Sequence, residues 1–343
     1  MFIYRKGNII QDFLNFFKII LFGKYDVIHV FEPFLPTYPI LILLLRLKRS
    51  KTIYDSGDIH QLNGKLSGLP YISLKYMKLN EFLAYNLSDT IIVRGGCAKE
   101  IISNYFGLPL KKIKFIPDGV DLSRFDSRNS EEFKKSLGLS DKFVLGYSSS
   151  IRTLKIGTVD GARGWELLEI GKMMIESGRT NFKILIVGNG PGLSLLIKRA
   201  TDYGLKEHIL FTGFVSETDY PMYLRSMDAG FYESINHPAY IVMMPTKLIE
   251  YMASSLPIIA GNIGEAKRTF HNNGILYEPL EPDLSNLDKY LRGIFTACCK
   301  LYDDPSLAQN MGRKSRQIAL EYYDWTRISQ CYLDFLTLSF ARR

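Results

Sequence analysis

Apolar residues along the chain fall into short continuous runs, which alternate with longer stretches of helical spacing. Continuous Val, Ile and Leu runs are typical of parallel strands that are buried on both faces. The first part of the chain predicts four such strands, at Val27–Phe31, Lys51–Tyr54, Thr90–Val93 and Ile113–Ile116. Helical spacing predicts helices between them, over Thr37–Leu47, Pro70–Leu87 and Lys99–Phe106. This alternation favours right-handed crossovers and a parallel sheet.

A polar segment over residues 118–142 interrupts this pattern and marks a domain boundary. Six more strands are predicted after it, at Phe143–Tyr147, Lys183–Val187, His208–Phe211, Ala229–Tyr232, Pro257–Ala260 and Gly274–Tyr277. The predicted helices are Trp165–Glu176, Leu193–Tyr203, Asp219–Arg225, Lys247–Ala253, 286–302, 305–322 and 325–340. We therefore expect a first domain over 1–140, a second over 141–324 and a closing helix over 325–343.

Both series predict α/β domains of the doubly wound, Rossmann-like kind. The first domain is short, because it offers four strands where a full doubly wound domain usually has about six. The chain opens with MFIYRKG and a helix-like stretch, not with a strand and a glycine-rich turn. We therefore expect the first strands of a longer ancestral domain to be missing from this sequence.

Composition adds a charge asymmetry to this picture. Of the 343 residues, 46% are apolar and 23% charged, which excludes a mostly disordered chain, a collagen-like fibre and a pure coiled coil. Residues 1–140 carry 20 basic and 13 acidic side chains, whereas residues 141–343 carry 23 and 22. A basic first half favours anionic partners, either lipid headgroups, nucleic acid or phosphorylated substrates.

Two further features bear on location. No run reaches the roughly 18 apolar residues of a membrane span. The four cysteines form no CxxC pair, which suits a reducing cytosol. We expect a cytoplasmic protein, with peripheral contact at the inner membrane face left open.

The segment KILIVGNGPG (183–192) runs from a predicted strand through glycines into a helix. Backbone N–H groups at a helix start can hold an anion, so Gly188 and Gly190 are candidate phosphate-binding positions. A simple tight turn is the alternative. The dinucleotide fingerprint G-x-G-x-x-G fails because Leu193 stands where its third glycine is required, which argues against an NAD-dependent oxidoreductase.

A second motif, PTKLIEYMA (245–253), opens a helix with a proline and places Lys247 in its first turn. A cation there opposes the helix dipole, and a bound anion would offset that penalty. Glu250 lies three residues later on the same face, where a carboxylate can accept two sugar hydroxyls. The alternative is a Lys–Glu surface pair worth about 0.3 kcal/mol.

The segments IPDGVD (116–121), VGNGP (187–191), FTGFV (211–215) and PTKLIEYMASSLPIIA (245–260) follow one another in an order that resembles the retaining glycosyltransferases of family 4, the group 1 glycosyltransferases. The resemblance runs from about Tyr25 to the C-terminus. It implies the GT-B fold, in which two Rossmann-like domains face a cleft. It also implies a nucleotide-sugar donor in the C-terminal domain, an acceptor in the N-terminal domain, and neither a cofactor nor a metal.

The resemblance also implies site residues. Glu250 matches the second Glu of the family's E-x7-E motif, which holds the donor ribose, whereas Val242 stands where the first Glu is expected. The PTK version of the motif places Thr246 and Lys247 beside the donor phosphates. Ser148–Ser150 replace the family's basic pair, so Arg163 becomes the leading phosphate candidate and Arg152 a weaker one.

The predicted acceptor side lies in the first domain. Asp58 and His60 follow the strand that ends near Tyr54, which resembles the family's acceptor loop, and either could orient or deprotonate the acceptor hydroxyl. A helix cap for Asp58 and a plain surface position for His60 are the alternatives. Asn236–Pro238 is a further candidate for lining the donor sugar.

The sequence thus predicts a transferase that moves a sugar from a UDP- or GDP-sugar to a glycan or lipid-linked acceptor, with retention of configuration. The alternative is a catalytically degenerate protein of the same fold that serves as a binding or scaffold subunit, which Val242, the serine run and the short first domain favour. Nucleic-acid binding is disfavoured because the basic half lacks interleaved aromatic residues and any recognisable module.

Overall fold

The structure is a computed structural model that describes residues 22–31, 50–126, 130–156, 159–270 and 272–340, together with positions 14, 15, 17, 18 and 43. The helix predicted over Thr37–Leu47 falls almost wholly outside these residues. The chain divides into two compact units. The first holds Met1–Pro117 with Ser329–Arg343, and the second holds Asp118–Ile328.

The first unit is built on a parallel sheet. Its described strands are β1 (Val27–Phe31), β2 (Lys51–Ser56), β3 (Thr90–Val93) and β4 (Ile113–Phe115). They pair side by side in chain order, β1-β2-β3-β4. The helices between them are α1 (His60–Leu66), α2 (Tyr71–Leu87) and α3 (Gly96–Phe106). All four predicted strands are confirmed; β2 and β3 in the middle of the sheet are largely buried, whereas β1 and β4 at its edges are more exposed.

The second unit carries a parallel sheet of six strands and a separate antiparallel hairpin. Its strands are β5 (Phe143–Ser148), β6 (Thr153–Ile156), β7 (Val159–Ala162), β8 (Phe182–Val187), β9 (Ile209–Phe211), β10 (Ala229–Tyr232), β11 (Ile258–Gly261) and β12 (Gly274–Tyr277). The six-stranded sheet has the order β12-β11-β10-β5-β8-β9, and β6 pairs with β7. This is the strand order of a doubly wound, Rossmann-like domain.

Helices cover both faces of this larger sheet. The helices of the second unit are α4 (Ser130–Ser136), α5 (Trp165–Glu176), α6 (Leu193–Asp202), α7 (Tyr220–Arg225), α8 (Pro238–Val242), α9 (Thr246–Ala253), α10 (Gly264–Thr269), α11 (Leu287–Asp303) and α12 (Pro305–Tyr322); α13 (Trp325–Phe340) follows them in the chain. Ile184 and Ile186 of β8 pack into one hydrophobic cluster with α5, α6 and α11. Leu185 and Val187 pack into the other with α7, α9 and α12. Successive side chains of a strand point to opposite faces, so a continuous apolar run is required here.

The boundary between the units differs from the sequence prediction. Residues 118–140, which the sequence assigns to the first domain, belong to the second unit. Leu122, Phe125 and Leu139 lie buried in its core, and the Val120 N–H donates to the Tyr323 carbonyl. Most residues of this segment are polar, and its few buried apolar residues are too widely spaced to form a recognisable pattern. From Ser329 onward, α13 groups with the first unit.

Among the described residues, no helix combines the length and hydropathy that crossing a membrane requires.

Candidate functional site

The order of the larger sheet defines one position where a ligand is expected. Strand order reverses between β5 and β10, which are neighbours in the sheet. In open α/β sheets, ligands bind beyond the carboxyl ends of the strands at such a switch point. Ser148 ends β5, and Glu233 follows directly after β10. The polar residues that gather at this position form the switch-point cluster, defined here as Arg163, Glu233, Lys247 and Glu250.

Glu233 lies at the centre of this cluster. Its side chain is buried, and its two oxygens face two cations. Arg163 Nε lies 3.4 Å from Glu233 Oε1, and Lys247 Nζ lies 3.6 Å from Glu233 Oε2. A buried charge is costly unless it is paired, so the carboxylate and the two cations stabilise one another. The structure thus brings together Arg163 and Lys247, which lie far apart in the sequence.

Lys247 is held by more than this ion pair. Its Nζ donates to Ser149 Oγ at 3.2 Å and lies 4.8 Å from the centre of the Tyr147 ring. Burial lowers the pKa of the Lys247 ammonium, and the charge of Glu233 opposes that shift. Lys247 is the second residue of α9, so Glu233 offsets the unfavourable interaction of this cation with the helix dipole.

The Glu233 carboxylate also keeps the Arg163 guanidinium protonated. Burial alone would lower the pKa of its guanidinium, but the charge of Glu233 and a hydrogen bond with Tyr240 raise it above the usual value. Arg163 precedes α5 by two residues, and its backbone N–H donates to the Arg152 carbonyl. The side chain of Arg152 is exposed, as is Thr246 at the start of α9.

Glu250 lies one turn of α9 after Lys247 and has its own partners. The Tyr220 hydroxyl donates to Glu250 Oε2 at 2.8 Å and lies 2.9 Å from Ser148 Oγ. The Ser148 N–H in turn donates to the hydroxyl of Tyr251. Burial raises the pKa of Glu250. Lys247 therefore pairs with Glu233, and the alternative of a surface pair between Lys247 and Glu250 is not what the structure shows.

The glycine turn packs against the loop that follows β5. Gly188 has φ +138°, and a Cβ built there would lie 1.9 Å from the Ser149 carbonyl oxygen. Gly190 has φ +154°, and its Cβ would lie 2.4 Å from the Ile151 carbonyl oxygen. The N–H groups of Gly188 and Gly190 are already bonded, to the Gly213 carbonyl and to Asn189 Oδ1. The free N–H groups expected at these glycines are therefore absent, and both act by close packing.

A second carboxylate lies behind the cluster. Glu166, in the first turn of α5, is fully buried and accepts from the Tyr290 hydroxyl at 3.0 Å. Burial and the nearby charge of Glu233 raise its pKa to about 8. Within the described residues, its Oε2 has no hydrogen-bond partner. Glu166 therefore carries a proton at neutral pH, which limits the negative charge beside the two cations.

In the first unit, Asp58 and His60 lie where β2 passes into α1. Glu81 of α2 accepts the backbone N–H of His60 at 2.5 Å and that of Gln61 at 3.4 Å, so a buried carboxylate caps α1. Burial raises the pKa of Glu81 to about 7. Burial also lowers the pKa of His60, and Asp58 opposes this shift. His60 is thus largely neutral, as a general base must be.

A polar cluster at the neighbouring strand ends was not found from the sequence. Asp55 near the end of β2 is buried, and its Oδ2 contacts Arg94 at 2.5 Å and His29 Nε2 at 2.9 Å. His29 Nδ1 lies 2.6 Å from the Tyr332 hydroxyl of α13. The strand ends of the first unit thus carry a carboxylate, an imidazole and a guanidinium that contact one another, near in sequence to the predicted Asp58 and His60.

The sequence also missed Glu233 and Glu166. Glu233 could have been found, because an acidic residue directly after a predicted strand lies at the edge where such sheets bind ligands. Glu166 offered no such signal, since a glutamate in the first turn of a helix is common at protein surfaces.

Proteins that have a doubly wound domain with two cations at its switch point form a class suited to binding a phosphorylated ligand. The family model of glycosyl transferases group 1 matches residues 166–317, and that of glycosyltransferase family 4 matches residues 2–124. Together they cover most of the chain. The chain therefore belongs to the group 1 glycosyltransferases of family 4, as the sequence predicts.

Two curated relatives illustrate the family. A GDP-mannose-dependent alpha-(1-6)-phosphatidylinositol monomannoside mannosyltransferase of Mycobacterium tuberculosis is 25% identical over 253 residues, which is 73% of this chain and 62% of that protein. The chain thus spans less than two thirds of that relative's length. The uncharacterized glycosyltransferase MJ1607 of Methanocaldococcus jannaschii is 24% identical, and the match covers 90% of this chain and 74% of that protein.

Solved structures share the fold. Anabaena Alr3699/HepE in complex with UDP and glucose has a TM-score of 0.70 at 18% identity, covering 94% of this chain and 81% of that one. Sucrose-phosphate synthase from Thermosynechococcus elongatus has a TM-score of 0.72 at 17% identity, covering 99% and 81%. These likenesses confirm the predicted fold class of GT-B glycosyltransferases, with two Rossmann-like domains.

Proposed function

We propose that the chain transfers a sugar from a nucleotide-sugar, linked to UDP or GDP, to a glycan or lipid-linked acceptor. The observation that supports this most directly is the switch-point cluster. Arg163 and Lys247 carry the positive charge that a leaving diphosphate requires as the glycosidic bond breaks. Because these two cations can offset that charge, we propose that transfer needs neither a metal nor a cofactor.

Each member of the cluster has a proposed role. Glu250 accepts hydroxyls of the donor ribose, and the exposed start of α9 at Thr246 offers N–H groups to phosphate oxygens. Arg152 extends the positive charge from the loop after β5. Gly188 and Gly190 fix the position of that loop, and with it Ser149 and Lys247. Retention of configuration is part of the proposal because the family resemblance implies it.

The acceptor role falls on the first unit. His60 is the proposed base for the acceptor hydroxyl, with Asp58 as the group that orients it. The basic first half suits an acceptor carried by an anionic membrane surface. The mycobacterial relative, by its name, acts on a phosphatidylinositol mannoside, which supports the same choice for this chain. We propose a cytoplasmic location with peripheral membrane contact.

Calorimetric titration with UDP, GDP, UDP-glucose and GDP-mannose tests the donor side. Losing one charge-assisted hydrogen bond costs about 1.5–3 kcal/mol, so we expect Glu250→Gln to weaken nucleotide binding roughly ten- to a hundredfold. The Gln side chain can still accept from Tyr220, which keeps the local packing. Glu321→Gln on the exposed face of α12 serves as the matched control and should bind as the wild type does. Binding of no nucleotide by the wild type would refute the proposal.

A degenerate binding subunit remains a second candidate because of one observation. Val242, at the position where the family's first Glu is expected, is buried and cannot reach a donor sugar as a carboxylate would. Nucleotide-sugar binding without hydrolysis or transfer of a radiolabelled sugar to lipid extracts would favour this candidate. Transfer that is lost in His60→Ala but kept in His208→Ala, a control at a histidine that is partly buried as His60 is, would exclude it.

A further inference from the structure

Helix α2 of the first unit is apolar on the face that points away from the sheet. Its inner face is fixed by buried Glu81, Ala84 and Tyr85. Its outer face carries five large apolar or aromatic side chains that are 43% to 75% exposed, Tyr71, Ile72, Tyr76, Leu79 and Phe82. A helix on the surface of a globular domain normally turns polar residues outward. An apolar patch of this kind marks an interaction surface.

The charges around this patch are basic. Lys75 and Lys78 stand on the same outer face, and at 100° per residue all seven side chains fall within roughly half of the helix circumference. The one acidic residue of α2, which the structure describes throughout, is Glu81, and it faces inward. Lys112 Nζ donates to the Asn86 carbonyl at 2.8 Å, which adds a third lysine at the end of the helix.

The patch extends onto α3. Lys78 Nζ lies 4.2 Å from the centre of the Tyr105 ring, and Tyr105 is itself partly exposed. Tyrosines beside aliphatic residues, rimmed by lysines, match the interface of a bilayer, where aromatic rings sit at headgroup level. Lysine stems cover apolar surface while their ammonium groups reach anionic headgroups. An anionic bilayer supplies both complements of this face, because its negative headgroups lie directly above its acyl chains.

We propose that the outer face of α2, defined as Tyr71, Ile72, Lys75, Tyr76, Lys78, Leu79 and Phe82, docks on an anionic lipid bilayer. The helix lies in the plane of the interface with this face buried at the boundary between headgroups and acyl chains. This inference rests on the proposed function in one respect, the choice of a lipid bilayer as the partner, because a lipid-linked acceptor would be found there. Vesicles without donor or acceptor test it separately.

The test is co-sedimentation of the full chain with vesicles of phosphatidylcholine alone and of phosphatidylcholine mixed with phosphatidylglycerol. We expect binding to the mixed vesicles that weakens as salt is raised. Leu79→Glu should lower the partition coefficient about tenfold or more, because it replaces a buried apolar contact by a charge of the wrong sign. Lys75→Gln and Lys78→Gln should each lower it about fivefold.

Leu320→Glu is the matched control, because Leu320 is 52% exposed on α12 and Leu79 is 55% exposed on α2. It should bind vesicles as the wild type does, and circular dichroism should show both variants folded. Vesicle binding by Leu79→Glu at the wild-type level would overturn the proposal. So would a dimer in analytical ultracentrifugation that Leu79→Glu dissociates, since the face would then belong to a second copy. Failed docking with intact nucleotide binding would leave the proposed function standing.

Discussion

Glu166 couples the stability of the second unit to pH. Burial, with the charge of Glu233 added, raises the pKa of this carboxyl from 4.5 to about 8. Below pH 4.5 the group is protonated whether the chain is folded or unfolded. Between the two values the unfolded chain loses the proton and the folded chain keeps it, so folding stability falls as pH rises. Above pH 8 both forms are ionised and the loss is complete.

The size of this effect follows from the shift. Each pKa unit corresponds to about 1.4 kcal/mol, so Glu166 removes on the order of 5 kcal/mol of unfolding free energy between pH 4.5 and pH 8. Glu166→Gln cannot ionise and can still accept from the Tyr290 hydroxyl. We expect it to unfold in urea at nearly the wild-type midpoint at pH 5. At pH 9 its midpoint should be clearly higher than that of the wild type.

The matched control is Glu176→Gln, an exposed glutamate at the other end of the same helix. Its urea midpoint should follow that of the wild type at every pH. Parallel curves for wild type and Glu166→Gln from pH 5 to pH 9 would refute the reasoning, because they would mean that Glu166 is already ionised in the folded protein at neutral pH.

Three further outcomes are expected. Lys247→Met leaves the Glu233 carboxylate with Arg163 as its remaining ionic partner, and we expect about 2 kcal/mol of lost stability by urea unfolding together with weaker UDP or GDP binding by calorimetry; unchanged binding would remove Lys247 from the donor site. Gly188→Ala should destabilise the second unit by about 2–4 kcal/mol in the same assay, because a Cβ meets the Ser149 carbonyl, whereas Gly178→Ala, with positive φ but open space, should cost only about 1 kcal/mol. Glu81→Gln should reduce the loss of stability that the wild type shows as pH rises from 4.5 towards 7, leaving the part that Glu166 contributes, and a variant as pH-sensitive as the wild type would contradict this.

Much of the fold could be predicted because its strands are buried on both faces. Nearly continuous apolar runs such as Phe182–Val187, which only Lys183 interrupts, are typical of parallel strands that are buried on both faces. The short helices α1, α4, α8 and α10 have five to seven residues each and are too short to show a helical period. The β6–β7 hairpin was missed because VDGA at Val159–Ala162 lacks an apolar run.

The sequence singled out Lys247 and Glu250 because they share a helix, and it reached Arg163 through the family resemblance. Glu233 was missed although its place after a predicted strand was a usable signal. Its burial arises from the packing of strand ends that are distant in sequence, which no local pattern shows. Asp55 and Arg94 were missed for the same reason, since each becomes informative only when β2 and β3 lie side by side.

The contacts at the switch point join segments that are far apart in the chain, and this has a consequence for folding kinetics. Ser149 and Lys247, which touch, are 98 residues apart, and Ser148 and Tyr220 are 72 residues apart. Contacts of such high sequence separation carry a large loop-closure cost and form late. If a nucleotide binds this cluster, its binding site is therefore not yet formed in the folding transition state. Its presence should leave the refolding rate nearly unchanged and slow the unfolding rate, so that occupancy by substrate lengthens the lifetime of the folded protein.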